Sequence, residues 1–368
     1  MTLTWQAFAD TWHLGVEMPT ARTAAAGIVG SDGKIYVIGG WVATSNGYSA
    51  AVERFDEATQ RWESVAALTV PTGWSTVVKD KAGGIWLFGG DTPYGITNSI
   101  YRYDLTGDRW IAAGTMPNRR SFAQGVVDSK GLIYLMGGLT VMEEGTALVQ
   151  RFDPNESTWT TLPPLNTGRC YHGVFIDGND RIFAVGGVKN LQLLSSVECL
   201  DLRNLGAGWV SKSPIPAARQ LQGIQGADGS FYAVGGWDGG FVGRVDRYDP
   251  ATDTWFAYPP LNFGNNNMTL VMGISGRLYS IGGESSPMVE TTRVEYTDIQ
   301  FTRAEVIGSI VINGIVGQTY RIDYATTLGG AASWAALTNF MLPSSPFRVV
   351  DWGSAGLPSR FYRTVLVP

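Results

Sequence analysis

Along this chain a short apolar run closes on a pair of glycines six times. The runs are Ile35-Tyr36-Val37-Ile38 before Gly39-Gly40, Ile85-Trp86-Leu87-Phe88 before Gly89-Gly90, and Ile133-Tyr134-Leu135-Met136 before Gly137-Gly138. They return as Ile182-Phe183-Ala184-Val185 before Gly186-Gly187, Phe231-Tyr232-Ala233-Val234 before Gly235-Gly236, and Leu278-Tyr279-Ser280-Ile281 before Gly282-Gly283. The second glycines are spaced by 50, 48, 49, 49 and 47 residues. Short runs rich in β-branched and aromatic residues predict strands. A repeat of this length is one unit that cannot bury its own faces, so neighbouring units must stack. Each unit carries further landmarks: 12 to 15 residues after Gly-Gly comes Phe55-Asp56, Tyr103-Asp104, Phe152-Asp153 or Tyr248-Asp249, softened to Leu200-Asp201 and Tyr296-Thr297 in the fourth and sixth units. A tryptophan follows in five of them (Trp62, Trp110, Trp159, Trp209 and Trp255), then a turn and a strand of small and apolar residues such as Gly125-Val126-Val127. The rings are large enough to fill the space between twisted sheets. The glycine pairs suit a place where backbones crowd and φ turns positive.

Over about residues 9–297 the six in-phase copies resemble the kelch repeat. The resemblance implies four-stranded antiparallel blades closed into a propeller. The expected fold is all-β: a six-bladed kelch β-propeller over residues 1–301, followed by a small antiparallel β-sandwich domain over 302–368. Trp12 precedes Met18-Pro19-Thr20-Ala21-Arg22 as Trp110 precedes Met116-Pro117-Asn118-Arg119-Arg120, while the sixth unit has no tryptophan after Tyr296. The N-terminal strand near Trp12 is therefore expected to complete blade six, which removes a free sheet edge. The blades then run over about 22–67, 73–115, 120–163, 169–213, 218–259 and 266–297 with 9–16.

Beyond Thr302 the Gly-Gly pattern stops, and alternation appears in Ser309-Ile310-Val311-Ile312, Thr319-Tyr320-Arg321-Ile322-Asp323-Tyr324, Phe347-Arg348-Val349-Val350-Asp351 and Phe361-Tyr362-Arg363-Thr364-Val365. This alternation predicts the sandwich. With Gly317-Gln318 and Trp334, the segment resembles modules appended to extracellular proteins of environmental bacteria, which implies a secreted or periplasmic protein, with a cytoplasmic one as the alternative. Met1-Thr2-Leu3-Thr4-Trp5 has no basic and apolar regions of a signal peptide. No run approaches the ~18 apolar residues of a membrane span.

Charge narrows the chemistry. With 27 basic and 32 acidic residues the net charge is −5; residues 302–368 carry +2 and the remainder −7. An acidic chain lacks the basic track that nucleic acid needs. Cys170 and Cys199 are placed on the first and third strands of blade four, about 9–10 Å apart, beyond disulfide reach, and are expected as buried free thiols. No P-loop, G-x-S-x-G, dinucleotide or Cys/His metal spacing occurs, so no cofactor and no metal are expected. Copper oxidases on kelch-like propellers need paired histidines, and His13 and His172 fall on distant strands. His172 is expected as a packed, hydrogen-bonded core histidine. Asp177-Gly178-Asn179-Asp180 reads as a turn.

Candidate binding residues come from the loops. In kelch propellers two loop sets form one rim around the central channel. Aligning the first set on its Pro-like start places Arg22, Trp74, Arg120, Arg169, Arg219 and Asn265 at equivalent positions. Clustered guanidinium groups need compensation, either from carboxylates of the propeller or from an anionic ligand. Trp41 and Trp237 follow Gly-Gly directly, with Tyr94 and Tyr171 nearby and Asp91, Glu143, Glu144, Asp238 and Glu284 as neighbouring carboxylates. The expectation is a binding protein whose mouth takes an anionic small molecule, a glycan (acidic saccharide) or an acidic peptide segment. The alternative is an enzyme similar to the kelch sialic-acid epimerase, pairing Glu143, Glu144 or Glu284 with Arg120 or Arg169; no motif of that enzyme carries over residue by residue.

Overall fold

Each Gly-Gly follows the second strand of a four-stranded antiparallel sheet, or in blade five lies near the end of it, and six such sheets repeat around a central channel. The computed structural model describes residues 11–43, 47–140, 145–226 and 228–299, and five further strands beyond them. Blade one is typical, with strands Ala26–Val29, Ile35–Ile38, Val52–Asp56 and Arg61–Val65 in spatial order. The second strand of every blade is buried almost throughout, because it is covered on both faces by neighbouring blades. First strands line the channel, a cavity of about 290 Å³ walled by small and polar residues such as Gly27, Thr76, Gly125 and Gln222.

The Gly-Gly pair is a junction between blades. Gly39 and Gly40 have φ of +63° and +113°, and a Cβ on Gly39 would lie 2.2 Å from the Thr72 carbonyl oxygen. Only glycine accepts both the conformation and the approach. The second glycine donates its N–H to the next blade: Gly40 to Thr72 O at 2.8 Å, Gly90 to Arg120 O at 2.9 Å, Gly138 to Arg169 O at 2.8 Å. The belt continues from Gly187 to Arg219 O, from Gly236 to Asn265 O, and from Gly283 back to Arg22 O at 3.0 Å.

The other landmarks also have defined duties. The aromatic of each aromatic-acid pair enters the interblade core, as Phe55 packs 5.0 Å from Trp62 and 6.1 Å from Tyr279 of blade six. Its acid starts the turn to the fourth strand: Asp56 Oδ1 accepts the Ala58 and Thr59 N–H groups. The tryptophan staples its blade to the preceding one, as Trp110 Nε1 donates to Ala66 O at 3.1 Å and Trp209 Nε1 to Pro163 O at 2.9 Å. Trp12 does the same to Pro259 O at 2.9 Å, and His13–Leu14 pairs with Val294–Asp298 as the fourth strand of blade six. The ring is thus closed by both ends of the repeat region, as the sequence predicts.

Cys170 and Cys199 are buried and are not joined in a disulfide. Cys170 stands just ahead of the first strand of blade four, Gly173–Ile176, in an isolated bridge with Val188 rather than on the strand itself. His172 is fully buried, but neither ring nitrogen has a hydrogen-bond partner, against the hydrogen-bonded histidine expected. Burial, with Arg169 nearby, pushes its pKa well below the ordinary 6.5, so the ring is neutral.

The chain divides into two compact units, Met1–Gln300 and Phe301–Pro368. In the second, Ser309–Ile312 pairs with Phe347–Val350, and Thr319–Ala325 lies between Ala335–Met341 and Phe361–Leu366. Ala335–Met341 is a strand that the alternation did not mark. The expected stacking of these sheets into a sandwich rests on side chains outside the described residues.

Candidate functional site

The rim is built from the two loop sets, and isolated bridges tie them together: Thr23 to Trp41, Gly73 to Asp91, Ser121 to Leu139, Cys170 to Val188 and Asn266 to Glu284. Each first loop begins with a buried aliphatic anchor: Met18, Leu68, Met116, Leu165, Ile215 or Leu261. Four residues on stand Arg22, Thr72, Arg120, Arg169, Arg219 and Asn265, whose carbonyls accept the Gly-Gly belt. Alignment on proline is therefore wrong in blade two. Pro71 lies three residues after its anchor rather than one, and the arginine's counterpart is Thr72, not Trp74.

The four arginines do not face the channel mouth. Each is at most 1% exposed and turns into its own blade. Arg22 Nη1 donates to Glu53 Oε2 at 2.8 Å, Arg219 Nη1 pairs with Asp246 Oδ2 at 2.8 Å, and Arg169 pairs with Glu198. Arg120 meets Gln150, a neutral amide, and the Leu135, Gly137 and Leu148 carbonyls. Burial lowers its pKa to about 10, which leaves it charged at neutral pH. Of the two compensations considered for this ring, the propeller supplies its own. The expectation of Arg22, Arg120, Arg169 and Arg219 as anion ligands is corrected accordingly: these charges are desolvated and engaged inside the fold.

Asn265 fills the same place in blade six, donating Nδ2–H to Gly282 O at 2.8 Å and accepting the Glu284 N–H at 2.9 Å, so it too is internal. The acid that would face an arginine there, Glu295, is 2% exposed and accepts the Asn262 N–H at 2.9 Å. Burial holds its carboxyl above the usual range. Trp237 packs against Phe241 of its own hairpin with ring centroids 5.1 Å apart, away from the other rim tryptophans. Glu284 Oε1 accepts the Met288 N–H at 3.0 Å. Glu143 and Glu144 lie outside the described residues. The carboxylate–arginine pairs expected of an enzyme are not assembled from Glu284, because both nominated arginines are interior.

Trp41, Trp74 and Tyr171 do come together, joined by two residues that sequence reasoning missed. Trp41 lies 4.9 Å from Tyr48 and 6.3 Å from Trp74, Trp74 lies 4.9 Å from Phe122, and Phe122 lies 4.2 Å from Tyr171. The result is a continuous arc of five half-buried rings across blades one to four. Backbone conformation places three of them. Trp74, Phe122 and Tyr171, together with Ala24 and Asn267, stand two residues after the arginine position with φ between +51° and +57°. Their peptides form an inner ring of interblade hydrogen bonds, including Trp74 N–H to Ala24 O, Phe122 N–H to Trp74 O and Leu221 N–H to Tyr171 O. Left-handed backbone is strained for bulky side chains. Here it turns their rings over the narrow end of the channel, where they line a 60 Å³ neck with Gln124, Gln222 and Asn267. The Trp74 indole N–H has no partner. Beyond the arc, Tyr94, Leu191 and Met288 stand at hairpins of blades two, four and six and are 86%, 85% and 71% exposed. Among the described residues no group of three or more His, Cys, Asp or Glu could hold a metal, and no helix is long and apolar enough to cross a membrane.

Comparison with known proteins bears on this rim. Kelch-like protein 35 of Mus musculus is 30% identical over 138 residues, 37% of this chain and 23% of that protein. Kelch-like protein terF of Aspergillus terreus is 30% identical over 164 residues, 40% of this chain and 35% of that protein. Kelch-like protein 40a of Danio rerio is 26% identical over 246 residues, 51% and 39% of the two chains. The chain thus spans well under half the length of these relatives. Among solved structures, one titled "Structure of YjhT" superposes with a TM-score of 0.63 at 16% identity, covering 77% of this chain and 96% of that one, a likeness of fold. The Kelch motif model matches residues 223–262, and the model for the KLHDC2/KLHL20/DRC7 Kelch-repeats domain matches residues 2–187, just over half of the chain. Together with six blades joined at their Gly-Gly pairs, that match establishes that the chain belongs to the KLHDC2/KLHL20/DRC7 Kelch-repeats domain family.

Proposed function

We propose that this propeller is a protein-binding module, and that the arc of Trp41, Tyr48, Trp74, Phe122 and Tyr171 is where a partner segment docks. The contiguity of the arc carries the reading: five rings from four blades, three of them on strained backbone, meet at one mouth and present more apolar surface than scattered surface aromatics would. Aromatic anchors at the centre of a contact patch supply most of its binding energy. The segment recognised here is apolar or aromatic. Acidic ligands and epimerase chemistry needed guanidinium groups facing the mouth; with the four arginines engaged inside the blades, neither enters this proposal.

The test is a peptide-display selection on the full chain, repeated on Trp41→Ala/Trp74→Ala. Ligands selected on the wild type should carry aromatic or large aliphatic residues and lose at least about 30-fold in affinity on the variant, the scale of about 2 kcal/mol expected of a hot spot. Equal binding to a folded variant would move the docking surface elsewhere.

A further inference from the structure

Blade two departs from its neighbours at two linked positions. Where blades one, three, four and five bury an arginine, it has Thr72. Where they place Glu53, Gln150, Glu198 and Asp246 opposite that arginine, it has Tyr101. The long side chain and its partner are both missing, and the space is not refilled. A cavity of about 260 Å³ opens there at the rim, lined by Thr72, Gly89, Thr92, Ile96, Ser99 and Tyr101, with exposed Arg119 and Tyr94 at its edge.

The backbone acceptors of the arginine's place remain. In blade four the Gly186 and Ser196 carbonyls accept from Arg169 Nη1 at 2.8 and 2.9 Å, and in blade three the Gly137 and Leu148 carbonyls face Arg120 Nη1 at 3.5 and 3.4 Å. Their counterparts in blade two are Gly89 and Ser99, since Gly89 N–H donates to Ser99 O as Gly186 N–H donates to Ser196 O. Ser196 O accepts both that N–H and the guanidinium, which shows that the carbonyl has capacity for two. In blade two Gly89 O takes the Ser75 hydroxyl at 3.0 Å and Ser99 O takes the Gly89 N–H, each leaving one lone pair. Blade three further shows that this place holds a guanidinium with no carboxylate opposite it, because Arg120 meets only an amide and carbonyls.

We infer that the blade-two cavity is a vacant guanidinium seat that receives an arginine side chain from the bound protein partner. The planar fork of donors fits several carbonyls at once, which a lysine ammonium matches poorly. This rests on the reading of the propeller as a protein binder and adds a second anchor to it, on the rim beside the aromatic arc. Arg119 at the edge opposes an entering cation, so the seat is selective for a group that gains several hydrogen bonds on arrival.

Ligand-observed NMR on the full chain tests the seat directly, with N-acetyl-arginine amide as the probe and the lysine and glutamate analogues as comparators. The arginine compound should bind saturably, more tightly than either analogue. Thr72→Arg, which fills the seat from within, should abolish that binding. Arg119→Glu should tighten it several-fold, as a lip charge of opposite sign would. Trp41→Ala/Trp74→Ala should leave it unchanged, so that failure of the aromatic arc and failure of the seat are separately visible. No saturable binding to the wild type, or equal binding to a folded Thr72→Arg, overturns the seat. So does unchanged or weakened arginine binding in Arg119→Glu, which decides the matter if Thr72→Arg does not fold. Preference for the glutamate analogue, lost in Arg119→Glu, would make the cavity an anion site instead.

Discussion

At the residue scale the propeller repeats one buried ion pair with defects. Arg22–Glu53, Arg169–Glu198 and Arg219–Asp246 are complete, blade three keeps the arginine without an acid, and blade six keeps the acid without an arginine. Breaking a complete pair strands a desolvated charge, so Glu198→Ala should cost about 3–5 kcal/mol in chemical denaturation. Completing the defective one should help: Gln150→Glu places a carboxylate against Arg120 and should raise stability by about 1–3 kcal/mol. Glu295 gives a pH signature. Its folded pKa is raised above the ordinary 4.5 by burial, so its favourable contribution is present below that value and is lost as pH rises through the folded pKa. Glu295→Gln should therefore raise the melting temperature at pH 7 and leave it unchanged near pH 3. A thermal scan across pH that showed the same gain at both ends would refute this account. Burial likewise pushes the Cys199 thiol up to about 11. Cys170 and Cys199 should react with a thiol reagent only after unfolding. Of these features the arginines were legible in the chain, but their direction was not, because a rim position says nothing of which way a long side chain turns.

At the element scale each landmark of the repeat proves to be a joint. The Gly-Gly pair passes a hydrogen bond to the next blade, the aromatic fills the interblade space, the acid nucleates a turn, and the tryptophan staples backward. These duties follow from residue type at fixed spacing, which is why the strands could be read from the sequence. The closing strand is the joint on which blade six depends: Trp12 is 4% exposed and, among the described residues, His13–Leu14 is the strand that pairs beyond Val294–Asp298. Trp12→Ala should cost about 3–5 kcal/mol and should loosen blade six first, seen as earlier amide exchange in Val294–Asp298 than in the equivalent Val149–Asp153. Uniform exchange in both strands would show that closure does not depend on this staple. The error in blade two is also one of elements. Proline is a tolerated loop residue whose place can shift, whereas the anchor Leu68 is fixed by burial, and alignment on Leu68 would have put Thr72 in the arginine's place.

For the whole molecule, the channel mouth is a product of closure. Trp41, Trp74, Phe122 and Tyr171 are spread over 131 positions of the chain and meet because successive blades bring equivalent loops to one ring. The binding reading stands or falls here. Removing the central ring with Phe122→Ala should weaken binding of a selected ligand as Trp74→Ala does, while Trp237→Ala, on its separate hairpin, should leave it within about twofold. Equal losses from Trp237→Ala would extend the surface around the full mouth. The sequence by itself determined the repeat, the strands, the six units and the strand that closes them. Each of these depends on local residue type and on a period that recurs often enough to be unmistakable. Tertiary structure alone decided what the rim residues do. It turned four arginines inward to acids and carbonyls of their own blades, gathered aromatics from separate blades into one arc, and left an arginine-shaped space open in blade two. Those outcomes depend on side-chain direction and on contacts between residues well separated along the chain, such as Arg219 with Asp246 and Phe122 with Tyr171, which no local pattern encodes.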